Sequence, residues 1–342
     1  MRLVEAGDAP IDIAFRNAME ACIGCRGCEA ACPSSVAYGH LMTGARAALP
    51  APRSILRRGA ETIGYRLVLP RHRLLLAAAR VLGALRRLRL LPRRWGVPPL
   101  TAADLRPLGL PVGGDPDVWL FTGCVMDAWM RDTHRAAARV IAATGASVAV
   151  PGPEGACCGA LHQHAGRRVE AARLAGRVIA AMPGRAPIVV DSAGCGAMLK
   201  EYGDLLGTEE ARAFAARVRD FSEWVVAAGI PDLVPDGRTL IVQDPCHLRH
   251  VQRAHQSVRD LLAPAYHLVE TADDGLCCGA GGAFSAMRPG DAAAVRDLKV
   301  GALRAAAPDA VVVSANPGCV MHLRAAGLAV EHPADLAAAA LP

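Results

Sequence analysis

Twelve cysteines carry most of the chemistry available to this chain, and they fall into three sets. The first is Cys22, Cys25, Cys28 and Cys32 followed by Pro33, which spells C-x2-C-x2-C-x3-C-P. That spacing holds a [4Fe-4S] cluster in small bacterial electron carriers. Two-residue gaps let a tight loop aim successive thiolates at three corners of one cube. Gly24 and Gly27 permit the close backbone approach that cluster sulfides require. A structural zinc site is the competing reading, but zinc favours separated pairs of ligands over four thiols in one short run. Where two such runs occur in one protein, the fourth cysteine of each ligates the other run's cluster. A single run is present here, so Cys22, Cys25 and Cys28 are expected at three corners of one cluster. Cys32 is expected to point toward a cluster completed from elsewhere.

The other two sets are Cys124, Cys157, Cys158 and Cys195, and then Cys246, Cys277, Cys278 and Cys319, each following its counterpart by about 120 residues. The surroundings repeat as well: VWLF before Cys124 matches TLIV before Cys246, ACCGA matches LCCGA, and IVVDSAGCGAML matches VVVSANPGCVMHL. This is an internal duplication. Adjacent cysteines do not easily bridge each other, and thiolates gathered from several loops suit a soft, multi-iron site. Gly159 and Gly279 after the pairs would let the chain turn tightly. Buried core cysteines are the bland alternative, and four positions repeated at matching offsets argue against it. All twelve cysteines are therefore candidate cluster ligands.

The elements that must position these thiols can be read from hydrophobic pattern. Short β-branched runs at 147–150, 187–190, 239–242 and 310–313 read as buried strands separated by Ala-rich helical stretches, the βαβ pattern of parallel sheets. The cysteines then lie at strand C-terminal ends, where open α/β folds place their ligands. The expected organisation is an amino-terminal [4Fe-4S] domain, mainly helical, over 1–50, an Arg/Leu-rich helical linker over 51–112, and duplicated α/β modules over 113–232 and 233–342. Residues 53–94 hold twelve arginines against Glu61 alone, so the net charge of +6 is a local property of that segment. Between Pro70 and Pro92 the linker reads as an amphipathic helix, with Leu74, Ala78, Val81, Leu85 and Leu88 apolar and Arg66, Arg73, Arg80, Arg87 and Arg94 recurring every seven residues. It could dock a partner or anionic lipid headgroups, or simply be solvated.

Several classes are excluded. At 20% charged and 4% aromatic the chain is globular. The first twenty residues lack an apolar signal region, and no stretch approaches the ~20 apolar residues of a membrane span. Reduced thiols and a cytoplasmic location, peripheral on the inner face of the membrane at most, are expected. Nucleic-acid binding is not expected, since the linker offers only Tyr65 and Trp95 as stacking platforms. Neither a G-x-G-x-x-G after a strand nor a Walker A run occurs. His247 and His250 near Cys246, and His322 near Cys319, are expected to tune a cluster from outside its ligand shell; His162 and His164 are weaker candidates.

The layout resembles the CCG-domain iron–sulfur proteins, a group that includes the cysteine-rich subunit of heterodisulfide reductase, the lactate utilisation iron–sulfur protein and the iron–sulfur subunits of anaerobic glycerol-3-phosphate dehydrogenase and glycolate oxidase. CIGCRGCEAACPS, GACCGALHQH, SAGCGAMLKEYG, DPCHLRHVQ, LCCGAGG and ANPGCVMHL are similar, in order, to stretches of the glycolate oxidase iron–sulfur subunits. The resemblance implies a ferredoxin-type amino-terminal domain and two CCG modules. It also implies transfer of electrons from an FAD-binding dehydrogenase partner, acting on a 2-hydroxy acid such as glycolate, toward quinone or another acceptor, with the flavin on the partner only. Direct reduction of a disulfide-like substrate, service in a lactate or glycerol-3-phosphate dehydrogenase, and a non-catalytic scaffold are the alternatives. Heterodisulfide reductase modules end in C-x-x-C, whereas Cys195 precedes Gly-Ala-Met and Cys319 precedes Val-Met-His, which counts against disulfide chemistry. The glycolate oxidase subunits carry two ferredoxin runs, and Met1–Gly7 resembles the helix between them, so an earlier run upstream is expected.

Overall fold

The computed structural model describes residues 4, 6–50, 54–91, 97–273 and 275–342. Most of Met1–Gly7, and Pro92, Arg94 and Trp95 at the end of the linker, lie outside the described residues. The fold is α/β, with two four-stranded, wholly parallel sheets. The first contains β1 (Val118–Phe121), β2 (Val148–Ala149), β3 (Ile188–Val190) and β4 (Val218–Asp220) in the order β2-β1-β3-β4. The second contains β5 (Thr239–Val242), β6 (His267–Val269), β7 (Val311–Val313) and β8 (Val330–Glu331) in the order β6-β5-β7-β8. The two orders are identical once the repeat is aligned. Register is kept as well: Trp119 pairs with Ile188 where Leu240 pairs with Val311.

Strands this short persist because both of their faces are covered. VWLF, IVV and the last three residues of TLIV are fully buried, as expected for parallel strands sandwiched between helices. In each sheet the chain leaves the central strand to one side and returns on the other, so a crevice opens at the carboxyl ends of β1 and β3, and again of β5 and β7. The four β-branched runs read from sequence each contain a strand. The edge strands β4, β6 and β8 are additions, their signal diluted by Arg219, His267 and Glu331.

One apolar core joins the two repeats, combining Leu120, Val140, Ile141 and Val189 with Leu240, Leu261, Val313 and Leu336. Polar contacts reinforce it: Ala193 N donates to Ala315 O at 3.0 Å, and Gln252 Nε2 donates to Ala193 O at 2.9 Å.

The amino-terminal segment is helical, with Ile13–Ala21, Gly27–Ala31 and Tyr38–Ala48. In the linker, helix Ile55–Thr62 runs into a π-helical turn, Ile63–Val68, and then helix His72–Arg87. The buried face of this last helix is not the expected apolar stripe. Leu75, Ala79 and Gly83 face inward, while Leu74, Val81 and Leu88 are 44%, 60% and 67% exposed. Close approach explains the rotation, because a Cβ on Gly83 would lie 3.0 Å from the Leu100 backbone nitrogen and from the Trp129 ring.

Candidate iron–sulfur centres

Each repeat delivers its four thiols from three strand ends. Cys124 follows β1 and starts helix Val125–Trp129, Cys157 and Cys158 lie in the loop beyond β2, and Cys195 sits in the first turn of helix Ala193–Lys200 beyond β3. In the second repeat Cys246 follows β5 and starts a π-helical turn, His247–Gln252. Cys277 and Cys278 follow β6, and Cys319 sits in the first turn of helix Pro317–Arg324.

The CCG glycines have a structural reason. Gly159 and Gly279 both take positive φ, 82° and 90°. A Cβ on Gly279 would stand 2.4 Å from Ala292 O, and one on Gly159 would stand 3.2 Å from Ala171 O. Ala171 and Ala292 occupy matching helices, so in both repeats a side chain after the cysteine pair would push the thiols off the helix beneath them.

The sulfurs pair in the same way twice. Cys158 Sγ lies 3.3 Å from Cys195 Sγ, and Cys278 Sγ lies 2.9 Å from Cys319 Sγ. Cys124 lies beside Cys157 and Cys246 beside Cys277, near enough for each to act on its partner's charge. Mutual hydrogen bonding, burial and repulsion between thiolates split the groups: Cys124, Cys158, Cys246 and Cys278 are pushed well up, while Cys157 is lowered and Cys277 falls to about 3, each by the bond from its partner. Among the described residues no three His, Cys, Asp or Glu side chains converge to hold a single metal ion. Four soft donors arranged as two adjacent pairs suit several irons bridged by sulfide better than one ion. The donor set fits an iron–sulfur cluster in each repeat.

The amino-terminal loop brings Cys22, Cys25 and Cys28 together. Burial raises the Cys25 thiol, and the charge of Cys277 adds to that ahead of those of Cys22 and Cys28. Cys32 closes the far end of helix Gly27–Ala31, where backbone N–H groups of Val36 and Ser34 lower its thiol, with help from the Tyr38 hydroxyl. Two arginines that the sequence did not single out hold this loop. Arg46 donates to the carbonyls of Met19, Cys22 and His164, the last at 2.9 Å, and Arg26 pairs with Glu29 and Glu201. Nothing local marks Arg46, since its partners lie up to 118 residues away.

The histidines divide. His247 Nδ1 is 3.4 Å from Cys246 Sγ, and its ring meets that of His164 at 5.4 Å. Burial, then neighbouring positive charge, drops His247 to about 4; burial, then His247 itself, drops His164 to about 3, so both are neutral. His322 Nε2 is 3.3 Å from Ala292 O, and His162 Nε2 is 2.8 Å from Tyr65 O. These two serve the backbone. A further group missed by sequence is Asp127, three residues past Cys124, which meets His72 at 2.7 Å and Arg131 at 2.8 and 2.9 Å. The apolar contact of Leu75 and Ala79 with Cys124 and Ala128 lies beside it.

A family profile described as a cysteine-rich domain, CCG, matches residues 118–200 and 240–324, one repeat each. The glycolate oxidase iron-sulfur subunit of Escherichia coli is 32% identical, covering 94% of this chain and 82% of that protein. The chain belongs to the glycolate oxidase iron–sulfur subunit family. A probable glycolate oxidase iron-sulfur subunit of Bacillus subtilis is 29% identical over 95% of the chain and 81% of that protein. Lactate utilization protein A of Shouchella clausii is 24% identical over 60% of the chain and 90% of its own length. No described helix is long and apolar enough to cross a membrane.

Proposed function

We propose that this chain is the iron–sulfur electron-transfer subunit of a flavin-dependent 2-hydroxy acid dehydrogenase of the glycolate type. Cys22, Cys25 and Cys28 would hold a [4Fe-4S] cluster together with a fourth donor, while Cys124, Cys157, Cys158 and Cys195 and then Cys246, Cys277, Cys278 and Cys319 would hold one cluster each. Bound there, the clusters would take up and release single electrons between a flavoprotein and a quinone or similar acceptor. The protein supplies burial, spacing and hydrogen bonds to sulfur. The observation that carries this reading is the doubly repeated thiol arrangement at the carboxyl ends of two identical sheets, adjoined by a third cysteine loop.

The linker supports docking on a partner or on the inner face of the membrane. Ile55, Leu56, Ile63 and Leu67 are exposed on one helical stretch and Leu74, Val81 and Leu88 on the next, flanked by Arg58, Arg66, Arg73 and Arg87. Aliphatic side chains interleaved with arginine match an interfacial helix. The decisive experiment is anaerobic purification with iron and acid-labile sulfide analysis, followed by capture of an FAD-binding dehydrogenase subunit from the same cells. Iron-loaded protein that binds the flavoprotein and accepts its electrons is expected; an iron-free chain indifferent to it would refute the reading.

A further inference from the structure

The amino-terminal loop does not lie evenly between the two repeats. Ile23 packs on Gly281, three residues past Cys278: a Cβ there would meet Ile23 Cγ1 at 2.6 Å and Ile23 O at 3.1 Å, and φ of +54° already favours glycine. Gly27 faces the turn that follows Cys246, since a Cβ on it would stand 3.5 Å from His250 Nε2 and 3.9 Å from Cys25 Sγ. Both cysteine-bearing loops of the second repeat are thus in contact with the loop that carries Cys22, Cys25 and Cys28. Toward the first repeat the same loop reaches through Arg26, which pairs with Glu201, beside a small cavity of about 70 Å³ that has Cys22 and Cys28 on one side and Gly194, Ala197 and Met198 on the other.

We infer that the second repeat is the direct redox neighbour of the amino-terminal centre, with exchange across the Cys25–Cys277 edge, while the first repeat stands one step further away. The inference rests on the reading of these thiols as cluster ligands. A cluster held by Cys246, Cys277, Cys278 and Cys319 would exchange single electrons with one held by Cys22, Cys25 and Cys28, in either direction. One centre is oxidised as the other is reduced, and no bond or proton need move. Gly281 acts as a positioning residue, because only a missing side chain there lets the loops touch so closely.

The test is electron paramagnetic resonance of the fully reduced, iron-loaded protein, in which paired paramagnetic centres broaden and split each other's signals. Cys278→Ser should collapse the amino-terminal signal to that of an isolated centre, whereas Cys195→Ser should leave its splitting in place. Gly281→Val, with iron content unchanged, should shrink the splitting by displacing Ile23. Splitting that survives Cys278→Ser and disappears in Cys195→Ser would assign the neighbour to the first repeat and overturn the inference. So would a signal that no variant alters. Wild-type protein that binds no iron would instead refute the cluster reading itself, a distinct outcome.

Discussion

Asp127 ties the linker to the first repeat, and its replacement by Asn should release helix His72–Arg87 without disturbing the second sheet. The carboxylate accepts from Arg131 Nε at 2.8 Å and Nη2 at 2.9 Å and pairs with His72 Nε2 at 2.7 Å. All three side chains are nearly buried, at 8% exposure for Asp127, 9% for Arg131 and 11% for His72. Burial alone would raise this carboxyl, but the bonds from His72 and Arg131 and their charge outweigh it and hold the group well below the usual range. Removing one member of a buried ion pair costs about 3–5 kcal/mol because the other charges stay behind. Asn keeps the shape and one acceptor, so the lower end applies; about 3 kcal/mol corresponds to roughly 150-fold in a local opening equilibrium. Hydrogen exchange is the assay: amides of 75–87 should exchange roughly 150-fold faster in Asp127→Asn, with those of β5–β8 unchanged. In the wild type this contribution is present above the ordinary carboxyl pKa of 3.8 and is lost as pH falls from there toward the depressed folded value. A change below about fivefold in the linker amides, set against the ~150-fold expected from the buried-pair cost, would refute the reasoning.

Other outcomes follow from the same geometry. Cys157→Ser or Cys278→Ser should remove the iron of that repeat, while His322→Ala, whose imidazole meets a backbone carbonyl, should retain it; iron and sulfide counts decide this. Reversal of Arg73, Arg80 and Arg87 to Glu should weaken vesicle or partner association, most strongly at low salt, because exposed charges act over only about 10 Å at 0.1 M; unchanged recovery at every salt concentration would leave that face merely solvated. Burial pushes Asp220 up to about 7, so the folded state holds its proton more tightly than the unfolded chain, and this contribution is full below pH 3.8 and lost as pH rises through 7. Asp220→Asn retains the cap on Ser222 N, so denaturant midpoints should rise relative to wild type at pH 8 and change little at pH 5.

What was legible in the sequence was whatever repeats or alternates locally. The β-branched runs marked the central strands β3, β5 and β7 and the edge strand β2, because these positions are largely buried, and the doubled cysteine spacing announced a shared topology. The edge strands β4, β6 and β8 escaped because Arg219, His267 and Glu331 sit in exposed or half-exposed positions that a parallel edge tolerates. The linker helix misled for a steric reason: its apolar residues suggested one face, but contact distance selected the small ones, Ala79 and Gly83, for the interior. The Cys25–Cys277 neighbourhood and the Arg46 and Asp127 ties were not legible at all. They join segments 252, 118 and 55 residues apart, and only tertiary packing brings them together.

Duplication supplied two equal frames, and unequal coverings give their two thiol sets different surroundings. The first repeat is roofed by the linker, whose Leu75 and Ala79 close over Cys124, so its thiols face an apolar helix. The second is roofed by the amino-terminal loop, with Ile23 against Gly281 and Gly27 beside His250, and His247 Nδ1 lies 3.4 Å from Cys246 Sγ. Hydrogen bonding differs too: Asn316 Nδ2 reaches Cys319 Sγ at 3.4 Å, while the same side chain's Oδ1 accepts from Gly194 N beside Cys195 at 3.1 Å. One amide therefore donates to a sulfur of the second set and fixes the helix turn that carries a sulfur of the first. Donation to a ligating sulfur stabilises the more negative, reduced state, and exposure and charge shift it further. A frame that gave both repeats identical surroundings would give degenerate potentials and no direction to electron flow. The asymmetry of the two roofs, rather than the symmetry of the sheets, is what would set that direction.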